Sequence, residues 1–90
     1  MSVRAVNHVA IVVESIEQAL SFWRDALGLP LERIAAVEAE AVKVAFLPVG
    51  ESEIELLEPT DAASGVARYL EKRGPGIHHI CVEVEDIDAT

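Results

Sequence analysis

Basic residues are scarce in this chain, with seven Lys and Arg against 16 Asp and Glu and a formal net charge of −9. Nucleic-acid backbones are held by clustered Lys and Arg that displace counterions, and the seven here are dispersed, so nucleic acid is excluded as a partner. The same acidity mildly opposes the approach of an anionic substrate. Cysteine occurs once, as Cys81. No intramolecular disulfide can form, a reducing compartment fits, and the thiol, flanked by Ile80 and Val82, is expected to be buried packing rather than a nucleophile. No apolar run approaches the roughly 18–20 residues of a membrane span, and the N-terminus lacks the basic and apolar regions of a secretory signal. The expected location is therefore the cytoplasm, with no membrane partner. Aromatic residues make up 4% of the chain. Phe22, Trp23 and Tyr69 fall at helical spacing among apolar residues and read as packing groups.

What remains is an ordinary globular balance: 90 residues, 51% hydrophobic and 26% charged, enough for one small domain. Ala5 to Val13 reads as a strand, with Val9, Ile11 and Val13 on one face and His8, Ala10 and Val12 on the other. Ser15 supplies an N-cap oxygen with Gln18 at capping-box spacing, and Ile16, Ala19, Leu20, Trp23 and Leu27 recur at helical intervals until Gly28. Pro30 to Val37 and Val42 to Pro48 are strand candidates flanking an acidic turn. In the second, Val42, Val44 and Phe46 oppose Lys43, Ala45 and Leu47. A turn at Gly50 leads into a strand over Glu53 to Glu58, closed by Pro59. A second helix is expected from Asp61 to Arg73 and is broken by Gly74-Pro75-Gly76. A last strand covers Ile77 to Glu85.

That last strand echoes the first. His8-Val9-Ala10-Ile11-Val12-Val13-Glu14-Ser15-Ile16 and His79-Ile80-Cys81-Val82-Glu83-Val84-Glu85-Asp86-Ile87 share a histidine, an apolar run, an acidic residue, a cap and an isoleucine. Asp86 stands where Ser15 does and is expected to cap another helix. The order strand, helix, three strands, helix, then a second copy of the opening describes one α+β module, residues 1–75, and the start of its repeat, residues 76–90. We expect the repeat to continue past Thr90. The alternative is a half-size protein that completes its sheet by dimerising.

A strand histidine is more often a hydrogen-bonded core residue than a ligand, but equivalent histidines in two repeated strands are brought side by side when the repeats pair about a two-fold axis. Parity selects His79, not His78, as the partner of His8, because it places His78 with Val82 and Val84 on the opposite face. Glu55 is a third candidate: a carboxylate within an apolar strand needs a cation or a solvated face. Two imidazoles and a carboxylate suit Co²⁺, Zn²⁺, Mn²⁺, Ni²⁺ or Fe²⁺. Lys43 either carries a proton after desolvation or extends its head to solvent.

At these residues the sequence resembles the methylmalonyl-CoA epimerases of the vicinal oxygen chelate (glyoxalase-like) superfamily. The markers are Asn7-His8-Val9-Ala10-Ile11, Val44-Ala45-Phe46-Leu47-Pro48-Val49-Gly50, Glu53-Ile54-Glu55-Leu56-Leu57-Glu58-Pro59 and Gly76-Ile77-His78-His79-Ile80-Cys81-Val82-Glu83-Val84. The resemblance implies paired βαβββ modules folded around a divalent metal, most often Co²⁺, with His8, Glu55 and His79 as ligands. It also implies a fourth, glutamate ligand beyond Thr90 that doubles as a base. Lys43 falls, by the same resemblance, where some relatives place a glutamate acid/base. The implied reaction interconverts the (2R) and (2S) epimers of a CoA thioester through a stabilised enolate, in a homodimer. Other activities of the superfamily, glyoxalase-type isomerisation or ring-cleaving dioxygenation, would use a similar metal site, and metal-free binding modules also occur. The strand motifs favour the epimerase, and the paired histidines oppose a metal-free module.

Overall fold

The computed structural model describes residues 2–85. Five strands form one mixed sheet: β1 (Val3–Val12), β2 (Arg33–Val37), β3 (Val42–Val49), β4 (Ser52–Pro59) and β5 (Gly76–Val84), in the spatial order β2-β3-β4-β1-β5. β1 runs parallel to β4, while the β2–β3, β3–β4 and β1–β5 pairs are antiparallel. This is the α+β βαβββ arrangement anticipated from the element order, with a further strand added beside β1.

Two helices cover opposite faces. Helix α1 (Ile16–Leu20) starts where Ser15 accepts a bond from the Gln18 N–H at 3.2 Å, then widens into a π-helical stretch over Ser21–Ala26. The expected uninterrupted α-helix therefore changes pitch midway, and Phe22 turns outward at 53% exposure instead of packing. Trp23 does pack against the core. Helix α2 (Gly65–Arg73) begins four residues later than Asp61, because the Ser64 hydroxyl caps it by accepting the Ala67 N–H at 3.0 Å.

Alternation along the strands divides the core in two. Val13, Ala45, Leu47 and Leu56 meet Ile16 and Leu20 under α1. Ala10, Val12, Val42, Val44 and Leu57 lie on the other face, with Phe46, Val66, Tyr69 and Leu70 packed on them. Leu47, Leu56 and Val12 are fully buried, each favouring the folded state by about 1.5–3 kcal/mol over an exposed side chain.

The register of β1 against β5 carries the repeat into three dimensions. His8 pairs with Cys81, Val9 with Ile80 and Ala10 with His79. Because His8 and His79 are 71 positions apart, the same offset relates Val9 to Ile80 and Ala10 to Cys81. The strands thus cross about a local two-fold at Val9/Ile80, with His8 facing the counterpart of Ala10 and Ala10 facing the counterpart of His8. Next to that axis the register slips between Ala10/His79 and Ile11/Ile77, leaving His78 as an extra, unpaired residue in β5. Asp86 and its expected helix lie outside the described residues.

Candidate metal centre

Ala10 is the floor of the site. It is fully buried and has Glu55 as its register partner in β4 and His79 in β5, so both side chains rise on its face of the sheet. His8, two residues earlier in β1, shares that face. A small residue at the centre leaves room for the three larger groups around it.

The three expected ligands are thereby brought together. His8 Nε2 lies 3.3 Å from His79 Nε2, the rings meeting edge to face at 5.3 Å, and His8 Nδ1 lies 3.6 Å from the Glu55 carboxylate. The His8 and Glu55 side chains are 19% and 16% exposed, so the pair is partly shielded from solvent. The carboxylate approaches the Nδ1 side of His8, not the Nε2 pair, and among the described residues no three His, Cys, Asp or Glu side chains close into a cage around one point.

The donor chemistry fits a cation between the two imidazoles. Glu83 Oε1 accepts from Asn7 Nδ2 at 3.1 Å, which turns the Asn7 carbonyl oxygen toward His8 Nδ1 at 2.8 Å. An amide oxygen only accepts, so His8 carries its proton on Nδ1 and presents a bare Nε2 lone pair. That lone pair faces a second imidazole nitrogen at 3.3 Å, an arrangement that is repulsive unless a proton or a metal ion lies between them.

His78 differs from expectation. The bulge turns its side chain onto the site face, where Nδ1 meets His79 Nδ1 at 2.9 Å and the ring stacks edge-on against Tyr69 at 5.0 Å. Counting parity through β5 assumed unbroken alternation, and the unpaired residue breaks it. Cys81 is also corrected: it is exposed, not buried, because it follows His79 on the site face of the outer strand.

Lys43 is on the other side of the sheet. Its register partner is Glu58 and its neighbour Val44 pairs with Leu57, so Val44 and Phe46 face the site while Lys43 faces α1. Its ammonium lies 3.4 Å from Glu58 Oε2, and Glu58 Oε1 accepts the Ile16 N–H at 2.7 Å. Lys43, read from the sequence either as a proton carrier or as a head extended to solvent, thus joins a brace between β3, β4 and the start of α1.

Beside the histidines opens a cleft of about 740 Å³, lined by Val44, Phe46, Leu57 and Val66 and by the segments around Ala41 and Ser64. Its size is that of a small-molecule site, and its apolar wall ends at Glu55, His78 and His79.

The chain is similar to known epimerases. It is 38% identical over 85 residues to the mitochondrial methylmalonyl-CoA epimerase of Mus musculus, matching 93% of this chain and 48% of that one. It is 42% identical over 83 residues to the ethylmalonyl-CoA/methylmalonyl-CoA epimerase of Cereibacter sphaeroides, matching 91% of this chain and 62% of that one. Its fold superposes on Streptomyces coelicolor methylmalonyl-CoA epimerase in complex with 2-nitronate-propionyl-CoA with a TM-score of 0.85 at 31% identity, covering 98% of this chain and 65% of that one. The chain thus spans about half to two thirds of the length of the relatives it matches. Residues 7–90 match the Glyoxalase/Bleomycin resistance protein/Dioxygenase superfamily, and with the βαβββ sheet and the histidine pair at its two-fold, the chain belongs to that superfamily.

Proposed function

We propose that this chain forms the first half of a methylmalonyl-CoA epimerase, in which His8, Glu55 and His79 hold a divalent metal and a CoA thioester lies with its acyl end in the adjoining cleft. The observation that carries the reading is the Nε2–Nε2 approach of His8 and His79 at 3.3 Å across the two-fold. The named relatives support the substrate class, and the cleft supports a ligand of that size.

A divalent cation at this place supplies Lewis-acid stabilisation for the negative charge that develops on the thioester oxygen as the C2 proton leaves. The chain's own residues do the rest. His8 and His79 offer neutral nitrogen donors that keep such a cation in place, and Glu55 lowers the local positive charge. Val44, Phe46 and Leu57 exclude water from the acyl group, which strengthens every electrostatic interaction there. The proton carriers at C2 are groups other than Lys43.

Residues 1–75 are taken as the first module and 76–90 as the opening of the second. Support comes from Ile80 and Val82, which are 56% and 43% exposed on the face that, in the equivalent stretch of β1, is covered by α1. A homodimer in the cytoplasm belongs to the same proposal. Among the described residues no helix is long and apolar enough to cross a membrane.

Deuterium wash-in at C2 of methylmalonyl-CoA, catalysed by the metal-loaded full-length protein, tests the activity. Exchange lost in His79→Ala supports the reading, and no exchange by the wild type sinks it.

A further inference from the structure

We infer that Asn7 and His78 are a symmetry-related pair of positioning residues, each engaging Nδ1 of the following histidine so that both Nε2 atoms can be presented together. This deepens the metal-site reading above and rests on it. Asn7 and His78 are related by the same 71-residue offset that relates His8 to His79. They are chemically unlike, yet each meets the same nitrogen of the histidine that follows it. Asn7 Oδ1 meets His8 Nδ1 at 2.8 Å, and His78 Nδ1 meets His79 Nδ1 at 2.9 Å.

Residues next to each other in a strand ordinarily point to opposite faces, so neither contact is a default. Each is held from outside. On the Asn7 side, Glu83 of β5 accepts from the amide at 3.1 Å and fixes its orientation. On the His78 side, the bulge brings the ring round, Tyr69 packs against it at 5.0 Å, and the Tyr69 hydroxyl donates to the Ile77 carbonyl oxygen at 2.5 Å. A glutamate of β5 thus steadies His8, and a tyrosine of α2 steadies His79 through His78.

The two supports differ in kind. An amide oxygen can only accept, so His8 is fixed as the Nδ1–H tautomer with or without metal. An imidazole nitrogen can donate or accept, so the His78–His79 contact is permissive. His79 donates to His78 when its Nε2 binds metal, and without metal it can direct its Nε2–H to the bare Nε2 of His8 while His78 donates to its Nδ1. Partners of a ligating imidazole's second nitrogen typically change metal affinity by about 10–100-fold when removed.

The test uses the full-length protein with Co²⁺ calorimetry and imidazole ¹⁵N NMR of the metal-free and Zn²⁺-loaded forms. Asn7→Ala and His78→Ala should each weaken Co²⁺ binding by about tenfold or more, while His78→Asn, which offers an acceptor oxygen in place of the His78 ring nitrogen, should recover most of it. In the Zn²⁺ form, Asn7→Ala should speed solvent exchange of the His8 Nδ1–H alone, and His78→Ala that of His79 alone. Wild-type affinity in both alanine variants, or equal loss of both resonances in either, would overturn the inference. If the wild type binds no Co²⁺, the metal reading fails by itself. The pairing is then decided by the metal-free spectrum, where an Nδ1–H tautomer of His8 that Asn7→Ala abolishes upholds it and any other tautomer refutes it.

Discussion

The place of Lys43 beside Glu58, on the α1 face of the sheet, has a measurable consequence for stability. Both carboxylate oxygens of Glu58 are engaged, one by the Ile16 N–H at 2.7 Å and the other by the Lys43 ammonium at 3.4 Å. The first contact ties the opening turn of α1 to β4 and satisfies a helix donor that has no partner within the helix. A hydrogen bond to a charged group contributes about 1.5–3 kcal/mol. The Lys43 pair is worth less: Lys43 and Glu58 side chains are 45% and 22% exposed, and ion pairs so placed contribute about 0.2–1 kcal/mol. Glu58→Ala should therefore destabilise the protein by about 2–3 kcal/mol, and Glu58→Gln, which keeps an acceptor for Ile16, by about half as much. Lys43→Met should cost less than about 1 kcal/mol and couple to Glu58→Gln by no more than that. Urea unfolding of the wild type, the three single variants and the Lys43→Met/Glu58→Gln double variant gives these values, and C2 deuterium exchange gives activity on the same samples. Lys43→Met should exchange at close to the wild-type rate. A hundredfold loss of exchange with unchanged stability would refute the structural assignment of Lys43, and a cost below about 0.5 kcal/mol for Glu58→Ala would refute the capping role.

Three further outcomes are expected. Ala10→Leu should abolish Co²⁺ binding measured by calorimetry and cost about 1–3 kcal/mol in urea unfolding, because the residue between Glu55 and His79 is fully buried and has no space to grow. Ala41→Gly should stabilise the fold by about 0.5 kcal/mol in the same assay, since Ala41 holds a left-handed φ of 53°, which glycine adopts without the side-chain penalty but with a larger entropy loss. Stripping metal from the full-length protein with a chelator should lower its melting temperature in step with the logarithm of metal concentration over Kd, with about 4 kcal/mol lost when the removed metal had stood a thousandfold above its Kd.

Much of the sheet is legible in local alternation. β3 could be read from Val42, Val44 and Phe46 against Lys43, Ala45 and Leu47, and that pattern alone puts Lys43 and Phe46 on different faces. What local alternation lacks is the pairing that sets Phe46 opposite Glu55, the step that shows which of the two faces holds the site. Pairing across strands depends on side chains distant in sequence, so Lys43 was separable from the site only once the register was known. The histidine pair was legible for a different reason: a repeated motif carries its own geometry, because two copies of one strand meet antiparallel about an axis. The role of Asn7 could have been found by the same comparison, since it precedes His8 as His78 precedes His79. Alternation alone puts the side chain of His78 on the opposite face, because one unpaired residue is invisible to a count by twos. The pitch change in the first helix, which exposes Phe22, left no mark in the spacing of apolar residues either.

The extra residue in β5 also bears on how such a site can change over generations. Ile77 still pairs with Ile11 before the slip and His79 with Ala10 after it, so the strand resumes its facing on both sides as if His78 had been slipped in from outside. Loss or gain of that one codon would leave every other residue of the sheet on the face it already occupies. The support for the second histidine is therefore a detachable part, which a lineage could add, remove or replace in a single event without rebuilding the strand that carries it.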